Sequence, residues 1–368
     1  MRARGFVHRT PWPRPACPDA PPLAVADFHR ALPGYAPTPL RDAPGLARAA
    51  GVARVAVKDE SERLGLPAFK ILGASWATYR VLLDRLGLPL GTPLERLAGA
   101  PFTLTTATDG NHGRAVAAMA RRLGMGARIF VPAGTAEARI EAIRSEGATC
   151  EVVDGTYEDA VAVAAATGDL VVSDTSWPGY ETVPAWVIEG YATILDEVAA
   201  VPDVAVDVVV VPLGVGALGA AVAQWHRCRG LATRLVGVEP EGSDCVMASV
   251  AAGELVEVPG PHRSIMAGLN CGRPSAVALP WVASSFDGFL ALDDEAARAG
   301  MRALAAEGIV AGETGAAGAG ALLAVAAGDD ADAREALGVT ADSTVLLLCT
   351  EGATDPAAWQ EVVEVVDP

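Results

Sequence analysis

The sequence predicts an α/β protein of two lobes, built from twisted, mostly parallel sheets flanked by helices. Short runs of apolar and β-branched residues alternate along the chain with Ala-rich amphipathic stretches, a pattern typical of strand–helix–strand units. Runs such as "DVVVVP" and "TVLLLCT" are apolar without interruption, as strands buried on both faces of a parallel sheet are. At 368 residues the chain exceeds the size at which one hydrophobic core usually stops growing, which predicts two lobes.

The apolar runs and the stretches between them set the predicted order of elements. Strands are predicted at residues 53–58, 102–106, 127–132, 150–154, 170–174, 207–212, 234–239 and 344–350. Helices are predicted at residues 68–86, 113–123, 136–146, 156–166, 219–229, 294–307 and 316–327. The Pro-rich opening, up to about residue 35, is expected to be an irregular arm on the surface.

Proline and glycine interrupt the helical patterns at residues 86–101 and 197–206, and these are the predicted crossings between lobes. We therefore expect a large discontinuous domain formed by residues 1–96 and 197–368. The smaller α/β domain, residues 97–196, would be inserted into it.

Composition restricts the classes of partner. Hydrophobic residues make up 51% and charged residues 20%, as in a compact protein, and the formal net charge is −17. Such an acidic surface repels nucleic acid and anionic membranes, so we expect neither as a partner. The N-terminal stretch has charge and proline where a signal peptide needs an apolar segment, and no run of about 18 apolar residues occurs, which predicts a cytoplasmic protein.

The six cysteines have no CxxC spacing and indicate neither a zinc site nor a disulfide framework. Most are expected to be buried thiols. They are Cys17, Cys150, Cys228, Cys245, Cys271 and Cys349.

A glycine loop follows the predicted strand at 207–212, in "VVVVPLGVGALGAAVAQW". Glycines let backbone N–H groups approach a ligand, and the N-terminus of the next helix favours an anion, so a phosphate fits here. The alternative interpretation is a tight strand-to-helix turn that needs glycine without any ligand. The motif alone does not decide between them.

A second strand–loop–helix turn, "TTATDGNHGRAVAAMARRLG", places Asp109, Asn111 and His112 at the carboxyl end of a predicted strand. Open α/β sheets bind ligands at that end. In the alternative interpretation, Asp109 and Asn111 only cap the helix.

Lys70 lies in the apolar setting "AFKILGA". Burial disfavours a charged amine and lowers the pKa of a lysine, which makes the neutral amine available as nucleophile and base. The alternative is a surface lysine whose stem packs on apolar neighbours. Two other strand ends carry polar groups, namely Asp174 and the pair Cys349 and Thr350, and neither identifies a reaction alone.

Together these segments resemble the fold-type II pyridoxal-phosphate enzymes, the group of threonine dehydratase, cysteine synthase and the tryptophan synthase β subunit. The order of Lys70, "DGNHG", the glycine loop and "CTEG" is the order of that group. Within it, the chain is most similar to the diaminopropionate ammonia-lyase family, through "KDESERLGLPAFKILGAS", "ATDGNHGRAVA", "DTSWPGYETVPAWVIEGY" and "MAGLNCGRPS".

The resemblance implies pyridoxal 5′-phosphate as cofactor, bound covalently by Lys70, with Asn111 on its O3′ and the glycine loop on its phosphate. Cys349 or Thr350 would face the ring nitrogen, and the sequence leaves open which one does. The implied cofactor-binding residues are Phe69, Lys70, Asn111, Gly214, Val215, Gly216, Ala217, Leu218, Gly219, Cys349 and Thr350.

The implied reaction is α,β-elimination of D- and L-2,3-diaminopropionate to pyruvate and ammonia, in a homodimer. Lys70 would be the base on one face, Asp109 the base on the other, and Asp174 the partner of the substrate's β-ammonium. Two alternatives stay open: a related enzyme that performs β-replacement or elimination on another β-substituted amino acid, and a non-catalytic binding homologue. Cys245 and Cys271 would lie near the site entrance, with reduced thiols favoured over a disulfide.

Overall fold

The structure is a computed structural model that describes residues 1–8, 11–18, 24–108, 110–202 and 204–364. The strands in these ranges are β1 (Ala3–Val7), β2 (Leu40–Asp42), β3 (Arg54–Asp59), β4 (Thr103–Ala107), β5 (Gly126–Pro132), β6 (Thr149–Val153), β7 (Leu170–Val171), β8 (Val208–Pro212), β9 (Arg234–Pro240), β10 (Gly288–Leu292) and β11 (Thr344–Cys349). The α-helices are α1 (Val25–Arg30), α2 (Pro44–Ala50), α3 (Ile71–Leu86), α4 (Asn111–Arg122), α5 (Glu137–Ser145), α6 (Tyr157–Ala166), α7 (Thr182–Ala199), α8 (Ala217–Cys228), α9 (Cys245–Ala252), α10 (Leu279–Ala283), α11 (Asp294–Ala306), α12 (Ala317–Ala327), α13 (Ala331–Leu337) and α14 (Pro356–Val363).

The chain forms two compact units. The larger unit comprises Met1–Pro18, Pro37–Ala68 and Ile194–Pro368, and the smaller unit comprises Asp19–Ala36 and Phe69–Thr193. Residues 69–96 thus group with the smaller unit. The domain division at 96/97 and 196/197 stays a prediction.

The larger unit contains a seven-stranded sheet in the order β1-β10-β9-β8-β11-β3-β2. Its five central strands are parallel, and the two edge strands run antiparallel to their neighbours. The central strands are almost entirely buried, which explains their uninterrupted apolar sequences. The strands predicted at 53–58, 207–212, 234–239 and 344–350 are confirmed to within one residue at each end.

The smaller unit contains a four-stranded sheet in the order β6-β5-β4-β7, parallel throughout. Phe130 on β5 and three alanines of β4 and α6 form an apolar cluster in it. The strands predicted at 102–106, 127–132 and 150–154 are confirmed to within one residue. The one predicted at 170–174 is shorter and ends at Val171. The α/β fold with mostly parallel sheets is therefore confirmed.

All seven predicted helices are present to within three residues at each end. The longest helix that the sequence patterns did not predict is α7. Pro184 and the aromatic residues at its start resembled a loop. Proline is tolerated in the first turn of a helix, where its missing N–H has no intrahelical role, and α7 continues for 18 residues.

The prediction of an irregular opening arm is wrong at two places. Residues 3–7 form β1, which pairs with β10 at the sheet edge, and α1 covers Val25–Arg30. Local composition could not reveal β1, because its hydrogen bonds come from a strand about 285 residues later in the chain.

The arm is also joined covalently to the larger unit, since Cys17 and Cys228 form a disulfide. Cysteine spacing could not predict this bond, because the two cysteines are 211 residues apart. The other four cysteines are free, and Cys245, Cys271 and Cys349 are buried. Among the described residues, no helix is both long and apolar enough to cross a bilayer.

Candidate functional site

Lys70 immediately precedes α3 in the smaller unit, and small residues fix the start of that helix. A Cβ atom on Gly73 would lie 2.6 Å from the ring of Tyr191 on α7. A Cβ atom on Gly190 would lie 2.7 Å from the Cα atom of Gly73, so the two helices touch backbone to backbone. Larger residues would separate α3 from α7. The small residues that follow Lys70 in the sequence thus set the position of its backbone.

The Lys70 amine forms an ion pair with a buried carboxylate. Lys70 Nζ lies 2.7 Å from Asp174 Oδ2, and Asp174 follows β7 at the carboxyl end of the smaller sheet. The Asp174 side chain is 7% exposed and that of Lys70 20%. Burial opposes ionisation of Asp174, but the Lys70 ammonium outweighs it and lowers the pKa of the carboxyl to about 2. Asp174 is therefore an anion at any physiological pH.

Two aromatic rings enclose the amine. Lys70 Nζ lies 5.5 Å from the centroid of the Phe69 ring, and the rings of Phe69 and Tyr191 are 4.7 Å apart. Burial raises the pKa of the Tyr191 phenol above its usual value. The amine thus lies among largely apolar groups yet keeps some access to solvent.

The "DGNHG" turn opens α4, and Thr108 satisfies the turn's backbone. Its hydroxyl accepts the N–H groups of Gly110, at 2.9 Å, and Gly113, at 3.1 Å. Gly110 has φ +151°, a conformation that L residues rarely adopt. Asn111 is the first residue of α4. Asp109 lies outside the described residues.

His112, on the first turn of α4, also reaches the Lys70–Asp174 pair. Its Nε2 atom lies 2.8 Å from the carbonyl oxygen of Val172, and its Nδ1 atom lies 3.8 Å from Asp174 Oδ2. The side chain is 3% exposed. Burial lowers the pKa of the imidazole, against the opposing effect of Asp174. The sequence placed His112 in the turn but gave no sign that it meets Asp174, because that contact joins residues 62 apart.

In the larger unit, the glycine loop connects β8 to α8. Gly216 has φ +93° and precedes α8, and no side chain caps the helix N-terminus. A Cβ atom on Gly214 would lie 2.9 Å from the carbonyl oxygen of Gly268, and one on Gly219 would lie 2.5 Å from Leu213 Cδ2. Packing therefore explains two of the glycines without a ligand. The uncapped N–H groups that begin α8, in contrast, suit an anion.

Cys349, the last residue of β11, and Thr350, the residue after it, differ in their hydrogen bonding. The Cys349 thiol is fully buried, donates to the carbonyl oxygen of Glu351 at 3.5 Å, and has its pKa raised well above the usual value by burial. The Thr350 hydroxyl is buried and has no hydrogen-bond partner among the residues that the structure describes. A buried hydroxyl without a hydrogen-bond partner destabilises the folded protein unless a bound ligand supplies that partner.

The structure thus brings together Phe69, Lys70 and Asp174 in the smaller unit and adds His112 and Tyr191, which the sequence did not assign to the site. The loop at 214–219 and the residues 349–350 lie in the larger unit.

Comparison with known proteins identifies the family. A family profile described as "Pyridoxal-phosphate dependent enzyme" matches residues 31–351. The diaminopropionate ammonia-lyase of Escherichia coli K12 is 38% identical, over 91% of this chain and 89% of the relative. This chain belongs to the diaminopropionate ammonia-lyase family of pyridoxal-phosphate dependent enzymes.

Two further findings support this membership of the lyase family. The diaminopropionate ammonia-lyase of Salmonella typhimurium LT2 is 34% identical, over 92% of this chain and 91% of the relative. The crystal structure of the Escherichia coli lyase with an aminoacrylate-PLP azomethine reaction intermediate superposes with a TM-score of 0.88 at 34% identity, and covers 99% of this chain and 97% of that one. The fold-type II architecture expected from the sequence is confirmed.

The residues present fit pyridoxal 5′-phosphate, the cofactor of this family. The smaller unit offers a partly accessible amine beside an anion, at Lys70 and Asp174. The larger unit offers an uncapped helix N-terminus for a phosphate and, at Thr350, an unpaired buried hydroxyl for a polar ring atom.

Proposed function

We propose that this protein is a lyase that converts D- and L-2,3-diaminopropionate, with one water molecule, to pyruvate and two molecules of ammonia. The observation that carries the proposal is the 2.7 Å ion pair between Lys70 and Asp174. It combines an amine that can react with the cofactor and a carboxylate that stays ionised in a buried setting. Such a carboxylate favours a substrate with a cationic side chain, because a neutral one would leave the buried charge unpaired.

We assign the cofactor contacts as the family resemblance implies. Lys70 would hold the aldehyde carbon, with Phe69 beside it, and Asn111 would bond the ring hydroxyl. The phosphate would be held by the loop Gly214, Val215, Gly216, Ala217, Leu218 and Gly219. For the ring nitrogen we choose Thr350 over Cys349, because the Cys349 thiol already donates to Glu351 and the Thr350 hydroxyl lacks a partner among the described residues.

Bound pyridoxal phosphate supplies an electron sink that lowers the barrier to loss of the substrate's Cα proton. The amine of Lys70 would take that proton on one face. Asp109 takes it on the opposite face, which would let both enantiomers react. This role of Asp109 is what the family resemblance implies.

Asp174 controls the leaving group. A β-amino group that stays protonated leaves as neutral ammonia, whereas an unprotonated one would have to leave as a strongly basic amide anion. In the free protein the Lys70 ammonium keeps Asp174 ionised against the effect of burial, and the substrate's β-ammonium would replace that cation. The two opposite charges would then stabilise each other, which keeps the β-amino group protonated.

A pyruvate assay with separate D and L substrates tests the proposal. We expect pyruvate and ammonia in a 1:2 ratio from either enantiomer, and none from a Lys70→Ala variant. The absence of pyruvate from both enantiomers would contradict the proposed function. An amino-acid product that appears by mass spectrometry only when a nucleophile is added would instead indicate β-replacement.

We also propose that the lyase is a homodimer, as the family resemblance implies, and that it is cytoplasmic. Four free cysteines agree with a reducing compartment, whereas the Cys17–Cys228 disulfide is of a kind that is rare there. Thiol labelling after cell fractionation tests the location. Sedimentation of the purified protein tests the oligomeric state. A periplasmic fraction or a monomer would contradict them.

A further inference from the structure

The tautomer of His112 follows from its hydrogen bond to Val172. A backbone carbonyl oxygen only accepts, so the Nε2 atom, 2.8 Å away, must carry the hydrogen. In the neutral ring, Nδ1 then has a lone pair and no hydrogen. Burial keeps the ring neutral by lowering the pKa of His112. The Nδ1 atom of His112 is therefore a hydrogen-bond acceptor.

This acceptor is buried, unpaired and directed at a second acceptor. His112 Nδ1 has no hydrogen-bond partner among the residues that the structure describes, and it lies 3.8 Å from Asp174 Oδ2. Two acceptors at this spacing do not bond to each other, but one nitrogen about 2.9 Å from each can donate to both. The arrangement needs a group with two or more N–H hydrogens.

The Lys70 side chain shows that an ammonium group reaches this place. Its Nζ atom lies 2.7 Å from the same Asp174 oxygen that faces His112. A second ammonium group, carried by a substrate, can take the same position against Asp174 when the amine of Lys70 is engaged elsewhere.

We propose that His112 Nδ1 and Asp174 Oδ2 form a two-acceptor site for the β-ammonium group of the substrate, which makes His112 a specificity-determining residue. The proposal rests on the proposed function and deepens it. A β-hydroxyl group has a single hydrogen and can satisfy only one of the two acceptors. The other would remain buried and unpaired, so the pair favours a β-ammonium group over the β-hydroxyl group of amino acids such as serine.

Two substitutions separate the acceptor of His112 from its donor. His112→Gln retains an N–H that can reach the Val172 carbonyl and removes the acceptor at the Nδ1 position. His112→Asn is the matched control, because its amide oxygen can replace Nδ1 while the bond to Val172 is lost. Each variant is assayed as holoenzyme with 2,3-diaminopropionate and with β-chloroalanine, whose leaving group has no hydrogen to donate.

For His112→Gln we expect the ratio of kcat/KM for diaminopropionate to that for β-chloroalanine to fall about 10- to 100-fold, the value of a hydrogen bond to a charged group. His112→Asn should recover part of that ratio. Equal losses on both substrates in both variants would overturn the proposal and indicate a structural role. A wild-type protein that releases no pyruvate from diaminopropionate would instead overturn the proposed function.

A spectroscopic measurement does not depend on turnover or on the folding of the variants. In the ¹⁵N spectrum of the histidine-labelled wild-type holoenzyme at pH 7, His112 should show one protonated nitrogen and one with a free lone pair. Adding dimethylammonium, which has two N–H hydrogens but as a secondary amine cannot form an imine with the cofactor, should shift the signal of the unprotonated nitrogen. Protonation of both nitrogens, or no response to dimethylammonium, would overturn the two-acceptor site.

Discussion

Two lysine–carboxylate pairs in this protein, one fully buried and one partly buried, serve different purposes. Lys58, on β3 of the larger unit, is 1% exposed and donates to Glu197 at 2.5 Å and to the carbonyl oxygen of Thr38 at 2.6 Å. Lys70, in the smaller unit, is 20% exposed and has Asp174 at 2.7 Å. The distances are alike, and the surroundings of the two amines are not.

The Lys58 pair belongs to a closed network. Arg63 is bidentate to both Glu60 and Glu197 at distances of 2.6–2.8 Å, so two cations meet two carboxylates. Burial lowers the pKa of Lys58, but the carboxylates oppose this, and the amine has no route to solvent. The pair around Lys70 is open, with an imidazole acceptor still to be satisfied. A buried lysine is therefore reactive only where access and unpaired partners accompany it.

The largest expected effect is on catalysis: of Lys58 and Lys70, only Lys70 should be needed for pyruvate release. Lys70→Arg keeps the charge beside Asp174 but cannot bind an aldehyde as a lysine does, and pyruvate release should fall at least about 10³-fold. Lys58→Met is the control, and we expect it to retain turnover per folded molecule. Comparable losses in both variants would erase the distinction between the two lysines.

The closed network should matter for stability. Arg63→Met leaves the two buried carboxylates, Glu60 and Glu197, to Lys58 alone within this network, and we expect the free energy of unfolding to fall by about 3–5 kcal/mol in denaturant titrations. Arg144→Met, which breaks an exposed pair with Glu141, is the control. It should change stability little. If the two variants are equally stable, the buried network does not contribute to the stability of the protein as we expect.

Asp174→Asn tests the open pair. The amide keeps the shape of the side chain and removes its charge, so the variant should lose about 10²-fold in kcat/KM for diaminopropionate and less for β-chloroalanine. Steady-state kinetics on both substrates measure the difference. An equal loss on both would place Asp174 in cofactor binding instead.

The smallest effect concerns pH. Neighbouring cations lower the pKa of both Asp174 and Glu197 to about 2, although burial opposes the change. Unfolded carboxyls of these types take up protons at about pH 4. Both pairs therefore contribute their full stability above that pH and lose it as the pH falls toward about 2. The unfolding free energy of Glu197→Gln should fall less over this range than that of the wild type, and an equal slope would contradict the assignment.

Local signals in the sequence predicted much of the fold and part of the site. Uninterrupted apolar runs located the central strands, and the small residues after Lys70 indicated a helix that packs closely. The contacts of His112 with Asp174, of Tyr191 with Phe69, and the Cys17–Cys228 bond join distant segments. No periodicity or spacing encodes such contacts. Lys58 shows the same limit, because its partner Glu197 is 139 residues away in the sequence.

The most direct measurement is borohydride reduction of the holoenzyme followed by peptide mapping, which fixes the cofactor to the amine that holds it. We expect the added mass on the peptide that contains Lys70 and none on the peptide that contains Lys58. A cofactor mass on Lys58, or an unmodified Lys70 in fully loaded enzyme, would contradict this expectation.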